Sequence, residues 1–172
     1  MKSVHLIEPE ERYLASYAEA IAEYWLHQVD GYAFTDPAQV DVLEKFHNYK
    51  KGTNLKPGRV TACYYWLVEE ERFIGEIVIR PRLNDALESY GGHIGYGVRY
   101  TCWKRGYGTL MLHLALEKAR KMGLTRVLIT CDDDNAASAR VIEKNGGRLE
   151  NIIENDISGT KVRTRRYWIE LG

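Results

Sequence analysis

The stretch from Trp103 to Met111, WKRGYGTLM, constrains the fold more than any other part of the chain. Its two glycines stand one residue apart, after a run typical of a strand and ahead of an apolar run typical of a helix. The first N–H groups of a helix lack intrahelical partners and carry about half a unit of positive charge, so they bind anions where side chains leave room. Gly106 and Gly108 leave that room, and Lys104 and Arg105 add cationic donors. The pattern indicates a phosphate or pyrophosphate site, with a turn that needs glycine only for its dihedrals as the alternative.

The order of the predicted elements favours a mixed α/β sheet. Before the turn, the sequence patterns predict a strand over 3–7, a helix over 10–28 and a second helix capped by Asp36-Pro37. A hairpin of strands 60–68 and 72–80, a loop over 81–92 and a strand over 93–99 follow. After it they predict helix, strand, helix and two strands: 106–122, 126–131, 136–144, 148–155 and 162–171. The strand-helix-strand unit implies one parallel pair, and the hairpins imply antiparallel neighbours. We therefore predict one domain over residues 1–172, with a mostly antiparallel sheet of about seven strands and flanking helices.

The composition argues against several functional classes. Lys+Arg and Asp+Glu each number 24, and this balance gives no electrostatic argument for nucleic acid or an anionic membrane as a partner. Charged residues make up 28% and hydrophobic residues 45%, as in an ordinary globular protein. The apolar runs are too short to span a bilayer, and the N-terminus lacks the apolar core of a signal peptide. We expect a cytoplasmic protein with no nucleic-acid or membrane partner.

Neither the cysteines nor the acidic run predicts a metal site. Cys63, Cys102 and Cys131 are widely spaced without a CxxC pair, so reduced thiols are expected, with a catalytic nucleophile as the alternative. The carboxylates of 132–134 are adjacent on one turn and do not converge, and negative charge ahead of a helix is favourable by itself. We expect no metal.

Other phosphate-binding motifs fit the glycine turn poorly. A P-loop requires GxxxxGK[ST], and a dinucleotide fold requires GxGxxG, but Met111 stands where the third glycine would be. Coenzyme A is the phosphate-bearing ligand that remains for a Gly-x-Gly turn on a mixed sheet of this order.

At these residues the sequence resembles the GNAT superfamily of N-acetyltransferases. WKRGYG is similar to the family's acyl-CoA motif, (Gln/Arg)-x-x-Gly-x-(Gly/Ala), and the stretch from Asp134 to Gly147 resembles its Asn-x-x-Ser/Ala segment with a closing glycine turn. The element order follows the family over nearly the whole chain. The resemblance implies an acyl-CoA N-acyltransferase fold and direct transfer of an acetyl group from acetyl-CoA to a primary amine, without a covalent enzyme intermediate.

The resemblance also implies the contacts to the cofactor. Lys104 would add its side chain to the backbone N–H groups that hold the pyrophosphate, which are those of Arg105, Gly106, Tyr107, Gly108 and Thr109. Tyr96 and Val98 would pair through their backbone with the pantetheine arm, and the Tyr96 N–H would bind the oxyanion. Asn135 and Ser138 would face the same arm. Their local alternative is a helix N-cap and a first-turn residue.

Two positions depart from the family pattern. Trp103 replaces the motif's Gln/Arg, which removes one side-chain contact to the cofactor. Ile142 stands where many members place a tyrosine that protonates the leaving thiolate. A thiolate with a pKa near 8.5 can leave without full protonation. The second departure keeps open another hypothesis, a CoA-binding sensor or interaction domain without catalysis.

His93 is the predicted general base. It is the only histidine close to the strand GGHIGYG, and its reference pKa near 6.5 suits a base at neutral pH. Strand alternation places His93 and Tyr96 on opposite faces unless the glycines introduce a bulge. The alternative is a strand histidine satisfied by packing or a hydrogen bond.

Acceptor recognition is less constrained by the sequence. Four polar residues on and after the third strand could bind an acceptor carboxylate or amide, with a solvated strand edge as the alternative for the arginines: Glu76, Arg80, Arg82 and Asn84. An aromatic set either lines an acceptor pocket or forms core: Tyr13, Tyr17, Tyr24, Trp25, Tyr32 and Phe34. We expect a small-molecule amine, with a protein or peptide amine as the alternative. The sequence leaves oligomeric state open, a homodimer included.

Overall fold

A computed structural model describes residues 3–172, in which seven strands form one sheet in the order β1-β2-β3-β4-β5-β7-β6. The strands are β1 (Val4–Ile7), β2 (Cys63–Glu69), β3 (Arg72–Ile79), β4 (Ile94–Val98), β5 (Arg126–Asp132), β6 (Arg148–Ile157) and β7 (Thr160–Glu170). The helices are α1 (Leu14–Leu26), α2 (Val42–Lys51), α3 (Asp85–Ser89), α4 (Tyr107–Lys121) and α5 (Ala136–Lys144). The pair β4–β5 is parallel and the other neighbouring strands are antiparallel. The predicted mixed, mostly antiparallel sheet with flanking helices is confirmed.

One side of the sheet, here called the α4 face, packs against α4 and α5. The helices contribute Met111, Leu112, Ala115, Leu116, Ala139 and Ile142. The strands contribute alternate side chains, as the two-residue period of a strand requires: Ile77, Ile79, Ile94, Val127, Ile129, Cys131 and Tyr167. Burying this continuous apolar layer is the main source of the fold's stability.

The opposite side, here called the α1 face, packs against α1 and α2 around aromatic residues. Its buried set is Tyr13, Tyr17, Ala20, Ile21, Val42, Phe46, Trp66, Val68 and Phe73. Tyr17 stacks on Trp66 with ring centroids 4.7 Å apart. Tyr13 and Tyr17 are therefore core, whereas Trp25 is 69% exposed.

Two predictions of helix position are wrong: the start of the second helix and the absence of a helix between 81 and 92. The second helix begins at Val42, because Asp41 accepts the N–H of Glu44 and caps it there. Asp36 instead accepts the N–H of Ala38 in a separate turn, the other structure that an Asp-Pro pair favours. The predicted loop over 81–92 contains α3, whose cap is Asn84 accepting the N–H of Leu87. A single turn of helix has too few periodic positions to give a sequence signal.

None of the helices described for residues 3–172 is long and apolar enough to cross a bilayer.

Candidate functional site

β4 and β5 form a V-shaped opening at the centre of the sheet. Their ladder pairs Ile94 with Ile129, and the His93 N–H donates to the Leu128 carbonyl at 2.8 Å just before it. Beyond Ile94 the described strands share no further paired residues. Parallel strands that part at their carboxyl ends leave a crevice that commonly binds ligands.

The register between β3 and β4 decides which backbone groups face this opening. The Arg99 N–H donates to the Ile74 carbonyl at 2.8 Å, and the antiparallel ladder continues from there in two-residue steps. Residues between the bonded ones turn their N–H and C=O groups away from the partner strand. Tyr96 and Val98 therefore point theirs into the opening.

The Val98 carbonyl is already occupied. It accepts hydrogen bonds from the Tyr24 hydroxyl and from Trp103 Nε1, both at 2.7 Å. Trp103, at the first position of the glycine motif, thus ties the turn to the end of β4. A carbonyl has two lone pairs, so of the two backbone groups of Val98 the N–H is the one left for the opening.

The N-terminus of α4 lies beyond the end of β4. The first helical hydrogen bond runs from the Leu110 N–H to the Gly106 carbonyl at 3.1 Å, so the N–H groups of Tyr107, Gly108 and Thr109 have no acceptor within the helix. No side chain among residues 3–172 caps this end. These N–H groups and the positive end of the helix dipole are suited to an anion.

The two glycines of the turn serve different purposes. Gly106 has a φ of +84°, where a side chain is strained, and a Cβ there would have nothing within 4 Å. Its position is open to a ligand. A Cβ on Gly108 would lie 3.3 Å from Val141 and 3.7 Å from Val98. Gly108 therefore allows close packing of α4 on α5 and β4.

A bridge between β4 and α5 crosses the opening on the α4 face. The Tyr96 hydroxyl lies 2.8 Å from Ser138 Oγ, and burial raises the pKa of this phenol well above its usual value. Asn135 caps α5 by accepting the Ser138 N–H at 3.0 Å, as the local alternative predicted. Ile142 is fully buried in the core and takes no part in the bridge.

A protein-family model described as the acetyltransferase (GNAT) domain matches residues 7–148. The chain belongs to this family. Among curated protein sequences, none matches the chain significantly.

Solved structures of acetyltransferases share the fold at low sequence identity. RimL, the ribosomal L7/L12 α-N-protein acetyltransferase in complex with coenzyme A, is 18% identical with a TM-score of 0.72, covering 99% of this chain and 95% of its own. MccE, the microcin C7 self-immunity acetyltransferase with acetyl-CoA and AMP, is 16% identical with a TM-score of 0.74, covering 97% and 92%. The ribosomal-protein-S5-alanine acetyltransferase of Vibrio fischeri is 17% identical with a TM-score of 0.69, covering 97% and 91%.

In this acetyltransferase, Tyr32 covers β4 on the α1 face. A Cβ on Gly97 would lie 2.7 to 2.9 Å from Tyr32 side-chain atoms, and one on Gly95 would lie 3.7 Å from the ring. The Tyr32 hydroxyl donates to Glu76 Oε1 at 2.7 Å, and Trp66 Nε1 donates to Oε2 at 2.9 Å. The glycines of β4 thus make room for a tyrosine from the segment between α1 and α2.

Glu76 anchors this segment and does not itself face a ligand. It is 1% exposed, which is at odds with the prediction that it contacts the acceptor. Burial raises its pKa from 4.5 to about 7, against the lowering effect of donors from Trp66, Tyr32 and Tyr17. The sequence could not show that a strand glutamate would be covered by residues some forty positions earlier.

The other predicted acceptor residues lie apart from one another. Arg80 donates to the Gly92 carbonyl at 3.2 Å and lies beside Gly95 on the α1 face. Asn84 caps α3 and donates to the Gly58 carbonyl, so its role is structural. Arg82 lines a shallow surface depression outside the opening, together with Pro81, Leu83, Glu88, His93, Arg126 and Trp168.

The geometry at His93 does not support the predicted base. Its Nδ1 accepts the Leu128 N–H at 2.9 Å, so the neutral ring carries its proton on Nε2 and keeps no free lone pair. Burial lowers its pKa, with the charges of Arg126 and Arg80 adding to the effect. The alternative of a strand histidine satisfied by a hydrogen bond fits this arrangement.

An ion-pair network that the sequence analysis missed holds the end of β4. Arg99 is 5% exposed and bonds to Glu23 at 2.7 Å and Glu19 at 3.0 Å, both on α1. Glu23 also accepts the N–H of Thr101 at 3.2 Å, at the start of the turn that leads to α4. In the sequence, the only sign of this network is that Glu19 and Glu23 stand one turn apart on the predicted helix. Such pairs are common on exposed helix faces, so they did not predict a buried ion pair.

Proposed function

We propose that the protein transfers an acetyl group from acetyl-CoA directly to the primary amine of a small acceptor. The observation that carries the proposal is the opening between β4 and β5, with the Tyr96 N–H directed into it and three unbonded helix N–H groups beyond its end. A phosphate-bearing thioester of extended shape matches this combination. Family membership supports the same chemistry.

The chain's own groups account for the needs of acyl transfer. Acetyl-CoA supplies the activated acyl carbon. The N-terminus of α4 binds its pyrophosphate, with Lys104 and Arg105 beside it, and the Tyr96 C=O and the Val98 N–H hold the pantetheine arm. The Tyr96 N–H also stabilises the oxyanion that forms when an amine attacks.

Direct transfer is favoured because the cysteine nearest the opening is a poor nucleophile. Cys131 is buried on the α4 face, and burial raises the pKa of its thiol to about 11. A thiol with that pKa is protonated at neutral pH, and the thiolate is the reactive form. Attack by the acceptor amine itself requires no enzyme nucleophile.

The proton for the leaving thiolate needs another source, since Ile142 lies in the core. The Tyr96–Ser138 hydroxyl pair spans the opening on the α4 face and can pass a proton between its two oxygens. We assign protonation of the thiolate to this pair.

The proposal is tested by measuring thiol release from acetyl-CoA with a panel of amines, polyamines, amino acids and N-terminal peptides, and by calorimetric titration with CoA. Release that depends on one acceptor class is the expected result, and the class identifies the acceptor. Thiol release with peptides alone would mean that the acceptor is a protein or peptide amine and not a small molecule.

The position of Ile142 favours a second candidate, a CoA-binding sensor without catalysis. Tight CoA binding with no release for any acceptor would support that function. Absence of CoA binding would refute both candidates, because each depends on the glycine turn.

A further inference from the structure

Asp132 is the last residue of β5 and lies across the opening from Gly97. Ile94 and Ile129 are Cα partners in the parallel pair. Three residues further along each strand, the chain reaches Gly97 on β4 and Asp132 on β5. Their strands have diverged by then, so the two residues border the opening at the same level.

Strand alternation places the Asp132 carboxylate on the α1 face. Ile129 and Cys131 belong to the core beneath α4. Thr130 faces the other way, since its hydroxyl accepts the N–H of Gly91 at 2.9 Å. Asp132 follows Thr130 by two residues and shares its face. The negative charge of Asp132 contributes to the raised pKa of Tyr90, which puts that phenol in the same region.

The neighbouring charged groups are engaged elsewhere. Asp133 binds Arg165 at 2.7 Å and Arg163 at 3.0 Å. Arg166, which pairs with Thr130 from β7, forms an ion pair with Glu150 at 2.7 Å. Across residues 3–172, no hydrogen bond or ion pair involves the carboxylate of Asp132.

A half-buried carboxylate without a partner calls for an explanation. Burial raises the pKa of Asp132, and the charge of Asp134 adds to this effect. A carboxylate in this state gains from a cation and accepts a proton more readily than an exposed one.

We propose that Asp132 binds the ammonium form of the acceptor and removes its proton, an inference that rests on the proposed function. It is then a catalytic residue in direct contact with the acceptor. Opposite Asp132, the Tyr32 side chain packs against Gly97 on the same face and borders the approach from that side. The acceptor is accordingly an amine that is cationic at neutral pH.

The step balances as follows. One N–H bond of the ammonium breaks, its proton goes to an Asp132 oxygen, and the nitrogen keeps the electron pair. That pair forms the N–C bond to the thioester carbon as the carbonyl pair moves onto oxygen. When the carbonyl reforms, the C–S bond breaks with its pair going to sulfur. The Tyr96–Ser138 hydroxyl pair donates a proton to the thiolate and regains one when the nitrogen releases its second proton. The proton on Asp132 returns to solvent.

The test compares Asp132→Asn with Asp134→Asn, an equal change of charge at an exposed residue two positions away. With the acceptor found in the panel, the first variant should lose about 100-fold or more in kcat/KM at pH 7, and the second should stay within about threefold of the parent. The CoA dissociation constant should be unchanged in both. In Asp132→Asn the remaining rate should rise about tenfold per pH unit up to the amine pKa, because only amine already free of its proton can attack.

A weakly basic amine that is neutral at pH 7 provides a further arm. The kcat/KM for this amine should fall far less in Asp132→Asn than the kcat/KM for the cationic acceptor. Parent-like rates and an unchanged pH profile in that variant would overturn the role of Asp132 while leaving the proposed function intact. If the parent protein binds CoA but acetylates no amine, the proposed function fails as well.

Discussion

Replacing Glu76 with glutamine should remove a pH-dependent loss of stability. The pKa of Glu76 is raised from 4.5 to about 7 in the folded protein, chiefly by burial. The folded state therefore holds this proton more tightly than the unfolded chain. Its stabilising contribution is complete below pH 4.5 and is lost as the pH rises through 7. At about 1.4 kcal/mol per pKa unit, the complete loss amounts to about 3.5 kcal/mol.

Glutamine keeps the local hydrogen bonds. Its carbonyl accepts from Trp66 Nε1, and its amide can donate to the Tyr32 hydroxyl, which accepts as readily as it donates. Between pH 5 and 8 the difference in unfolding free energy between Glu76→Gln and the parent should therefore change by about 2.5 kcal/mol in favour of the variant.

Urea unfolding of both proteins at half-unit steps of pH measures this difference. Glu71→Gln, at an exposed position in the turn between β2 and β3, is the matched control and should follow the parent throughout. Parallel curves for the parent and Glu76→Gln would refute the reasoning, as would a variant that is the less stable of the two at pH 8.

Three further outcomes are expected. His93→Asn retains an acceptor for the Leu128 N–H, so acetyl transfer should stay within about threefold of the parent; a loss of 100-fold would restore His93 as the base. Tyr96→Phe removes the hydroxyl bonded to Ser138 and should lower kcat about tenfold or more with unchanged CoA affinity in calorimetry; equal kcat values would dismiss the hydroxyl pair as proton donor. Gly106→Ala forces a side chain to adopt a φ of +84° and should cost about 1 to 2 kcal/mol in thermal unfolding as well as weakening CoA binding; unchanged CoA affinity would mean that the turn does not hold the pyrophosphate.

The order of strands and helices was predictable because each element has a local signature. Runs rich in β-branched and aromatic residues identified β2 and β3, and the glycine turn marked the start of α4. The misplaced start of α2 shows where this fails. Asp36 and Asp41 both have capping side chains, and the choice between them depends on which following face packs against Trp66 and Tyr64.

The glycine turn and its resemblance to an acyl-CoA motif were likewise properties of a short segment. Backbone conformation and helix ends depend on neighbouring residues, so a local sequence is sufficient to predict them. The family follows from the same residues together with the element order, and the family model agrees with it.

The chemistry around that turn was decided by tertiary structure. Tyr24 reaches the Val98 carbonyl from 74 residues away, and Tyr32 reaches Glu76 from 44 residues away. Whether Glu76 is covered, and whether Asp132 lacks a partner, depends on which distant side chains the fold brings within about 3 Å. Composition and spacing carry no information on such distances, so the sequence alone determined the fold class and the glycine turn, whereas the groups to which we assign proton transfer were found only in the packed structure.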